Sequence, residues 1–183
     1  MPRLCFEKTG NAVWISHLDL MRVFQRAFKR AGLPLTHTQG FNPRPSVSIA
    51  LPLSVGIESV CELLDFDLDG DEIPNDEIFR RLNGALIDGI RVREVYSDGR
   101  KIKHIAYLDC VLTLEYDAGV PSGAAEAIAA LFAQQELVVT KKSKNGNTEQ
   151  NIIPMIRSLQ VQNPDAHTLK IAARVCCQNP SLN

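Results

Sequence analysis

Apolar residues recur at helical spacing across residues 16–31, where Leu20, Met21, Phe24, Ala27, Phe28 and Ala31 make one face. Ser16 is placed to cap this helix, with Asp19 three residues on as its capping-box partner and Ile15 as a hydrophobic staple. Gly32 and Pro34 end it. Before it, residues 3–8 and 12–15 predict a short strand that turns at Thr9-Gly10-Asn11 and resumes. After it, residues 46–53 alternate as a strand, and Pro52 places that strand at an end or a sheet edge. Residues 61–68 read as another strand, Leu63, Leu64 and Phe66 interleaved with Glu62, Asp65 and Asp67. A second helix starts at Pro74-Asn75-Asp76-Glu77, carries Ile78, Phe79, Leu82, Leu86 and Ile87, and stops at Gly89. Residues 90–96 form a fourth strand. The order strand, helix, strand, strand, helix, strand predicts an α+β fold, the split arrangement of a ferredoxin-like domain over residues 1–98.

Residues 97–104 are polar and basic and mark the expected domain boundary. Beyond it, residues 105–183 predict a second, partial ferredoxin-like unit. A long strand covers 105–116, an alanine-rich helix 122–135, and a strand at 136–144 opens into the turn Asn145-Gly146-Asn147. Residues 151–159 fit a short helix or an extended segment, and 167–175 a final strand. The tail Asn179-Pro180-Ser181-Leu182-Asn183 reads as the lead-in to a missing helix, so a truncated chain is expected.

Charge sharpens this picture. The net charge is −1, yet residues 1–44 hold seven Lys/Arg against two Asp/Glu. Residues 45–79 hold nine acids and no base, and residues 80–104 return to seven bases against three acids. A neutral total therefore does not exclude a local basic face for nucleic acid; the blocks can equally pair with one another inside the fold. No apolar run approaches the roughly 20 residues of a membrane span, and no signal-peptide core follows Met1, so a cytoplasmic protein without membrane contact is expected. The five cysteines contain no Cys-x-x-Cys pair and no triple spacing for a radical-SAM cluster, and they read as reduced core residues. Neither cofactor nor metal is expected.

The candidate chemistry gathers around the first helix. Arg22, Arg26, Lys29 and Arg30 repeat at helical spacing on a face of their own and suit phosphate binding, or else a solvated face. Directly after the helix comes Thr38-Gln39-Gly40-Phe41-Asn42-Pro43-Arg44-Pro45. Each proline fixes its own φ and restricts the residue before it, so the loop is stiff. Gln39, Asn42 and Arg44 offer polar recognition, and Phe41 either stacks on a base or plugs the core. Asn42 alternatively bonds its own turn. His17 and Asp19 in the first helical turn are candidates for acid–base chemistry, Asp19 fitting the cap better. The acids of 58–77 form a solvent-facing edge or a docking patch, and Lys141-Lys142-Ser143-Lys144 makes a basic hairpin tip.

Three runs carry a resemblance: Ile15-Ser16-His17-Leu18-Asp19-Leu20-Met21-Arg22, Arg26-Ala27-Phe28-Lys29-Arg30-Ala31-Gly32-Leu33-Pro34, and Gln39-Gly40-Phe41-Asn42-Pro43-Arg44-Pro45. They resemble the radical-SAM-linked protein family, bacterial domains of unknown function fused behind, or encoded beside, a radical-SAM enzyme. The resemblance continues through Ala50-Leu51-Pro52-Leu53, Gly56-Ile57-Glu58-Ser59 and Ile152-Ile153-Pro154. Two positions depart from the family pattern: Arg44 stands where a histidine is typical, and Asn151 where an aspartate is expected. The family's gene neighbourhoods, with ribonuclease G and ribosomal-protein genes, imply RNA. The expectation is an accessory RNA-binding partner of a radical-SAM enzyme in tRNA or rRNA modification or processing, without catalysis of its own. The alternatives are a module docking a radical-SAM protein through its acidic segment, and a small-molecule enzyme using His17, Asp19 and Arg44.

Overall fold

A computed structural model describes residues 2–143, 146–178 and 182. The chain is a mixed α+β protein that divides into two units, Met1–Ile102 and Lys103–Asn183. The tip residue Lys144, the turn residue Asn145 and tail residues 179–181 and 183 lie outside the described residues.

The first unit runs β1 (Arg3–Lys8), α1 (His17–Arg30), β2 (Val47–Ile49), β3 (Ser59–Phe66), α2 (Asn75–Asn83) and β4 (Ile90–Tyr96). Its strands pair antiparallel in the order β2-β3-β1-β4. Alternation along β1 and β3 puts Leu4, Phe6, Leu64 and Phe66 on one face of this sheet. There they meet Phe24, Ala27 and Phe28 of α1 and Ile78 and Leu82 of α2 in one core. Phe6 meets Phe24 edge to face at 4.7 Å between centroids, and Phe28 meets Phe66 at 5.0 Å. Full burial of each such ring stabilises by about 1.5–3 kcal/mol. Asn83, the last residue of α2, binds β4 with both ends of its amide. Its Nδ2 donates to the Val92 carbonyl at 3.0 Å and its Oδ1 accepts from the Val92 N–H at 2.9 Å.

The charge blocks partly pair across β1 and β3. Arg3 and Asp65 are direct cross-strand partners, and the guanidinium makes two hydrogen bonds to the carboxylate at 2.6 and 3.1 Å. A third, at 2.6 Å, goes to the Arg100 carbonyl. On the core face Lys8 is buried and donates to the Val13 carbonyl at 3.1 Å. Burial pushes the Lys8 ammonium down and the Glu62 carboxyl up, their mutual attraction opposing both shifts.

Four expectations need correction, the last of them across both units. Residues 12–15 do not continue a strand. Gly10–Trp14 coil into a 3₁₀ turn, closed by Ala12 N–H to Thr9 and Ile15 N–H to Ala12, which Lys8 braces from below. The strand expected at 46–53 stops at Ile49, because Leu51, just before Pro52, takes a left-handed φ of 45°. The helix α2 ends at Asn83 rather than at Gly89, with Gly84 as its C-cap, so Ile87 is exposed. The cysteines are not all core residues: Cys61 and Cys110 are exposed and Cys5 half-buried, whereas Cys176 and Cys177 are buried. The Cys5 thiol lies 3.6 Å from the Cys61 sulfur and is pushed up to about 12, chiefly by burial.

The second unit runs β5 (Tyr107–Glu115), α3 (Ala124–Phe132), β6 (Val138–Ser143), β7 (Gly146–Asn151), β8 (Ile156–Gln162) and β9 (Thr168–Cys176). Three strands pair antiparallel in the order β5-β9-β8, and β6 and β7 form a separate hairpin. The stretch 151–159 is both things expected of it in turn, a 3₁₀ turn over Ile153–Met155 and then β8. The sequence predicts no strand where β7 lies, since Gly146-Asn147-Thr148-Glu149-Gln150-Asn151 has no apolar alternation. Asn151 has a structural task here, its Oδ1 accepting from the N–H groups of Leu137 at 3.0 Å and Ile153 at 3.2 Å. Among the described residues, no helix is long and apolar enough to cross a membrane.

The Arg3–Asp65 pair is largely shielded from solvent, so breaking it strands one charge. Arg3→Met is expected to lower stability by about 3 kcal/mol in urea denaturation, and Arg3→Met with Asp65→Leu to recover most of that loss. Equal losses in the single and double variants would show that the pair is not the unit of stability.

Candidate nucleic-acid interface

The helix α1 is built as its sequence dictates at both ends. Ser16 caps it, with Oγ accepting from the Asp19 N–H at 3.2 Å. The Ser16 hydroxyl in turn donates to the Asp19 carboxylate at 2.7 Å, in place of the backbone bond of a full capping box. Arg22 donates to the other Asp19 oxygen, also at 2.7 Å. The Ser16 hydroxyl first, and the Arg22 guanidinium second, hold the Asp19 carboxyl below its usual value of 3.8. The exit is a Schellman turn: Gly32 at φ 65° donates to the Lys29 carbonyl, and Leu33 to the Phe28 carbonyl at 2.9 Å. Leu33 is thereby buried beside Phe28, and the chain doubles back along the helix.

The loop that follows is rooted at several points. Leu35 bridges to Leu68, and the Asp69 N–H donates to the Pro34 carbonyl at 2.8 Å. Thr36 N–H donates to the Asp67 carbonyl, and Ser46 N–H returns to Thr36. Nearer the tip, Thr38 N–H donates to the Arg44 carbonyl at 2.9 Å, and the Thr38 hydroxyl accepts from the Arg44 N–H at 3.0 Å. These bonds draw residues 36–38 and 44–46 into a narrow ladder. At its end Gln39, Gly40, Phe41, Asn42 and Arg44 are exposed. Phe41 is 110% exposed, which excludes the core-plug alternative.

The basic face is less uniform than its spacing suggests. Arg22 is committed to Asp19, and Arg30 donates to the Ala85 carbonyl. Arg26, Lys29 and Arg44 are exposed and form no ion pair among the described residues. Between the second half of α1 and the returning chain lies a cleft of about 450 Å³. Pro34, Leu35 and Pro45 give it apolar walls over the buried Phe28 and Leu33, with Gln25, Arg26, Lys29 and His37 as its polar lining. Arg26 is the only arginine of the expected set on this cleft. Lys29 belongs to the basic stripe expected from the spacing, whereas Gln25 and His37 carry no such signal and only their closeness in the fold identifies them.

His17 begins α1, at the end away from the cleft, and its Nδ1 is buried without a hydrogen-bond partner. Among the described residues no group of three His, Cys, Asp or Glu is placed to hold a metal. Of the acidic segment, Asp67, Asp69, Asp71 and Glu72 face solvent, but Asp65 is held by Arg3 and Glu62 is buried. A patch invisible to periodicity lies at the 3₁₀ turn. Trp14 is exposed there, Gly56 N–H donates to the Val13 carbonyl at 2.8 Å, and Val55 and Ile57 flank that contact in exposed positions.

The molecule is thus an α+β protein whose first unit presents cations with no ion pair among the described residues, a projecting aromatic and an apolar cleft around one helix end. Residues 2–182 match the family model of uncharacterized proteins conserved in bacteria (DUF2344), and the chain belongs to that family. No curated protein matches it.

Because the Ser16 hydroxyl is the larger influence on Asp19, Ser16→Ala should move the Asp19 midpoint, followed by NMR titration, back up toward 3.8. The lost cap should cost about 1 kcal/mol of stability. The sign follows from linkage: a carboxyl depressed in the folded state adds stability above its unfolded value, and that stability is lost as pH falls through the folded value. The acid side of the stability profile should therefore flatten in the variant.

Proposed function

We propose that this protein is an accessory RNA-binding partner of a radical-SAM enzyme, acting in tRNA or rRNA modification or processing, without catalysis of its own. One observation carries the RNA part: Arg26, Lys29 and Arg44 stand unpaired around a loop that holds Phe41 in solvent. Cations without internal partners are available to phosphates, whose condensed counterions are released on binding. An aromatic ring held out by a braced loop costs little entropy to use, and stacking on it stabilises by about 1–3 kcal/mol per base. Arg22 and Arg30, already engaged, contribute less than their spacing suggests. The radical-SAM part rests on the resemblance of the α1 and loop sequences to the radical-SAM-linked family.

A ferredoxin-like fold for the first unit belongs to the same proposal and is supported by the strand order β2-β3-β1-β4 with both helices packed in one core. In the second unit β5 occupies a sheet edge instead of the centre, so the proposal stops at Ile102.

Filter binding of tRNA and rRNA fragments at several salt concentrations tests the reading. Three phosphate contacts to a single strand give a slope of about −2 in log affinity against log salt. Arg26→Glu with Lys29→Glu should weaken binding at least tenfold. Phe41→Ala should weaken it about tenfold with no change in melting temperature, since the ring packs on nothing. Absence of binding even at low salt would end the RNA reading.

A further inference from the structure

The cleft beside α1 is more specific than a basic surface requires. Phosphate binding alone needs no apolar walls, and an apolar ligand needs no cations. This cleft has both: Pro34, Leu35 and Pro45 are its accessible apolar surface, Arg26, Lys29 and His37 belong to its polar lining, and no carboxylate is among the described residues that line it. Its volume of about 450 Å³ falls within the roughly 300–1,000 Å³ of small-ligand pockets. The charge selects an anion and the walls select a flat or apolar group. A nucleotide joins the two in one molecule.

We infer that this cleft binds a single unpaired nucleotide of an RNA strand, its base inserted against Pro34, Leu35 and Pro45 and its phosphate held by Arg26 and Lys29. The inference rests on the RNA-binding reading above and narrows it to unpaired bases, because a base inside a duplex cannot enter a cleft without leaving its stack. The Gln25 amide offers a donor and an acceptor to a base edge. The loop contributes twice: His37 and Pro45 at its root line the cleft, while Phe41 stands at its tip.

The test uses the full chain in the Phe41→Ala background, which removes stacking at the tip. Fluorescence anisotropy at low salt compares a ten-nucleotide RNA single strand, the same strand with abasic sites, and the corresponding duplex. The intact strand should bind at least tenfold tighter than the abasic strand or the duplex. Gln25→Trp, filling the cleft from its half-exposed rim, should erase that preference, so that intact and abasic strands bind alike. His37→Trp fills it from the opposite, exposed wall and serves if Gln25→Trp is misfolded by circular dichroism. Equal binding of intact and abasic strands before filling, or a preference that survives both fillings, overturns the cleft inference while the RNA reading stands. Failure of all three probes to bind, in this background and with Phe41 intact, overturns both.

Discussion

The packing of Phe24 and Phe28 against Phe6 and Phe66 is the constraint on which the first unit depends. A helix has one face to bury, and once these two rings occupy the sheet the orientation of every other α1 residue follows. Arg26 and Lys29 must then face solvent, and Gly32 must turn the chain back beside them. The cleft is thus a by-product of core formation: Phe28, a ring already committed to the interior, lies buried behind its accessible walls. The site needs no separate scaffold.

Rigidity of the loop has a similar origin. Part of it comes from Pro43 and Pro45, but more comes from hydrogen bonds to Asp67 and Asp69 at the end of β3 and from the rungs between Thr36, Thr38, Arg44 and Ser46. The carboxylate of Asp67 itself accepts from the Thr36 hydroxyl at 3.2 Å. Acidic residues that look in sequence like a patch for a partner are therefore divided in labour. Some brace the sheet and the loop, and others remain at the surface.

The sequence was most legible where local signals agree. In α1 the cap, the apolar period and the glycine stop all point to one helix, and the structure has it from His17 to Arg30. Legibility failed where a long-range contact decides. Residues 12–15 carry apolar side chains suited to a strand, but Lys8 and the Gly56 N–H take the Val13 carbonyl and Gly89 takes the Thr9 N–H, which favours a compact turn. Leu51 cuts β2 short through a left-handed backbone that no propensity scale assigns to leucine. In the second unit, β7 runs Gly-Asn-Thr-Glu-Gln-Asn with no apolar side chain and pairs with β6 through its backbone, so periodicity has nothing to detect. For the site, the arginine spacing was readable and the partners that remove Arg22 and Arg30 were half so. Asp19 lies one turn away in sequence, whereas the Ala85 carbonyl is 55 residues off.

Trp14 lends the fold a practical property. It is the one tryptophan of the chain, and its ring stands in water on the 3₁₀ turn, away from the phenylalanines that define the interior. Native emission is then already that of a hydrated indole, and loss of the core changes it little. The same indole lies against Gly56, where an added Cβ would meet its ring at 3.5 Å. Intrinsic fluorescence in this protein is thus a poor thermometer of unfolding and a sensitive gauge of whatever covers the 3₁₀ turn.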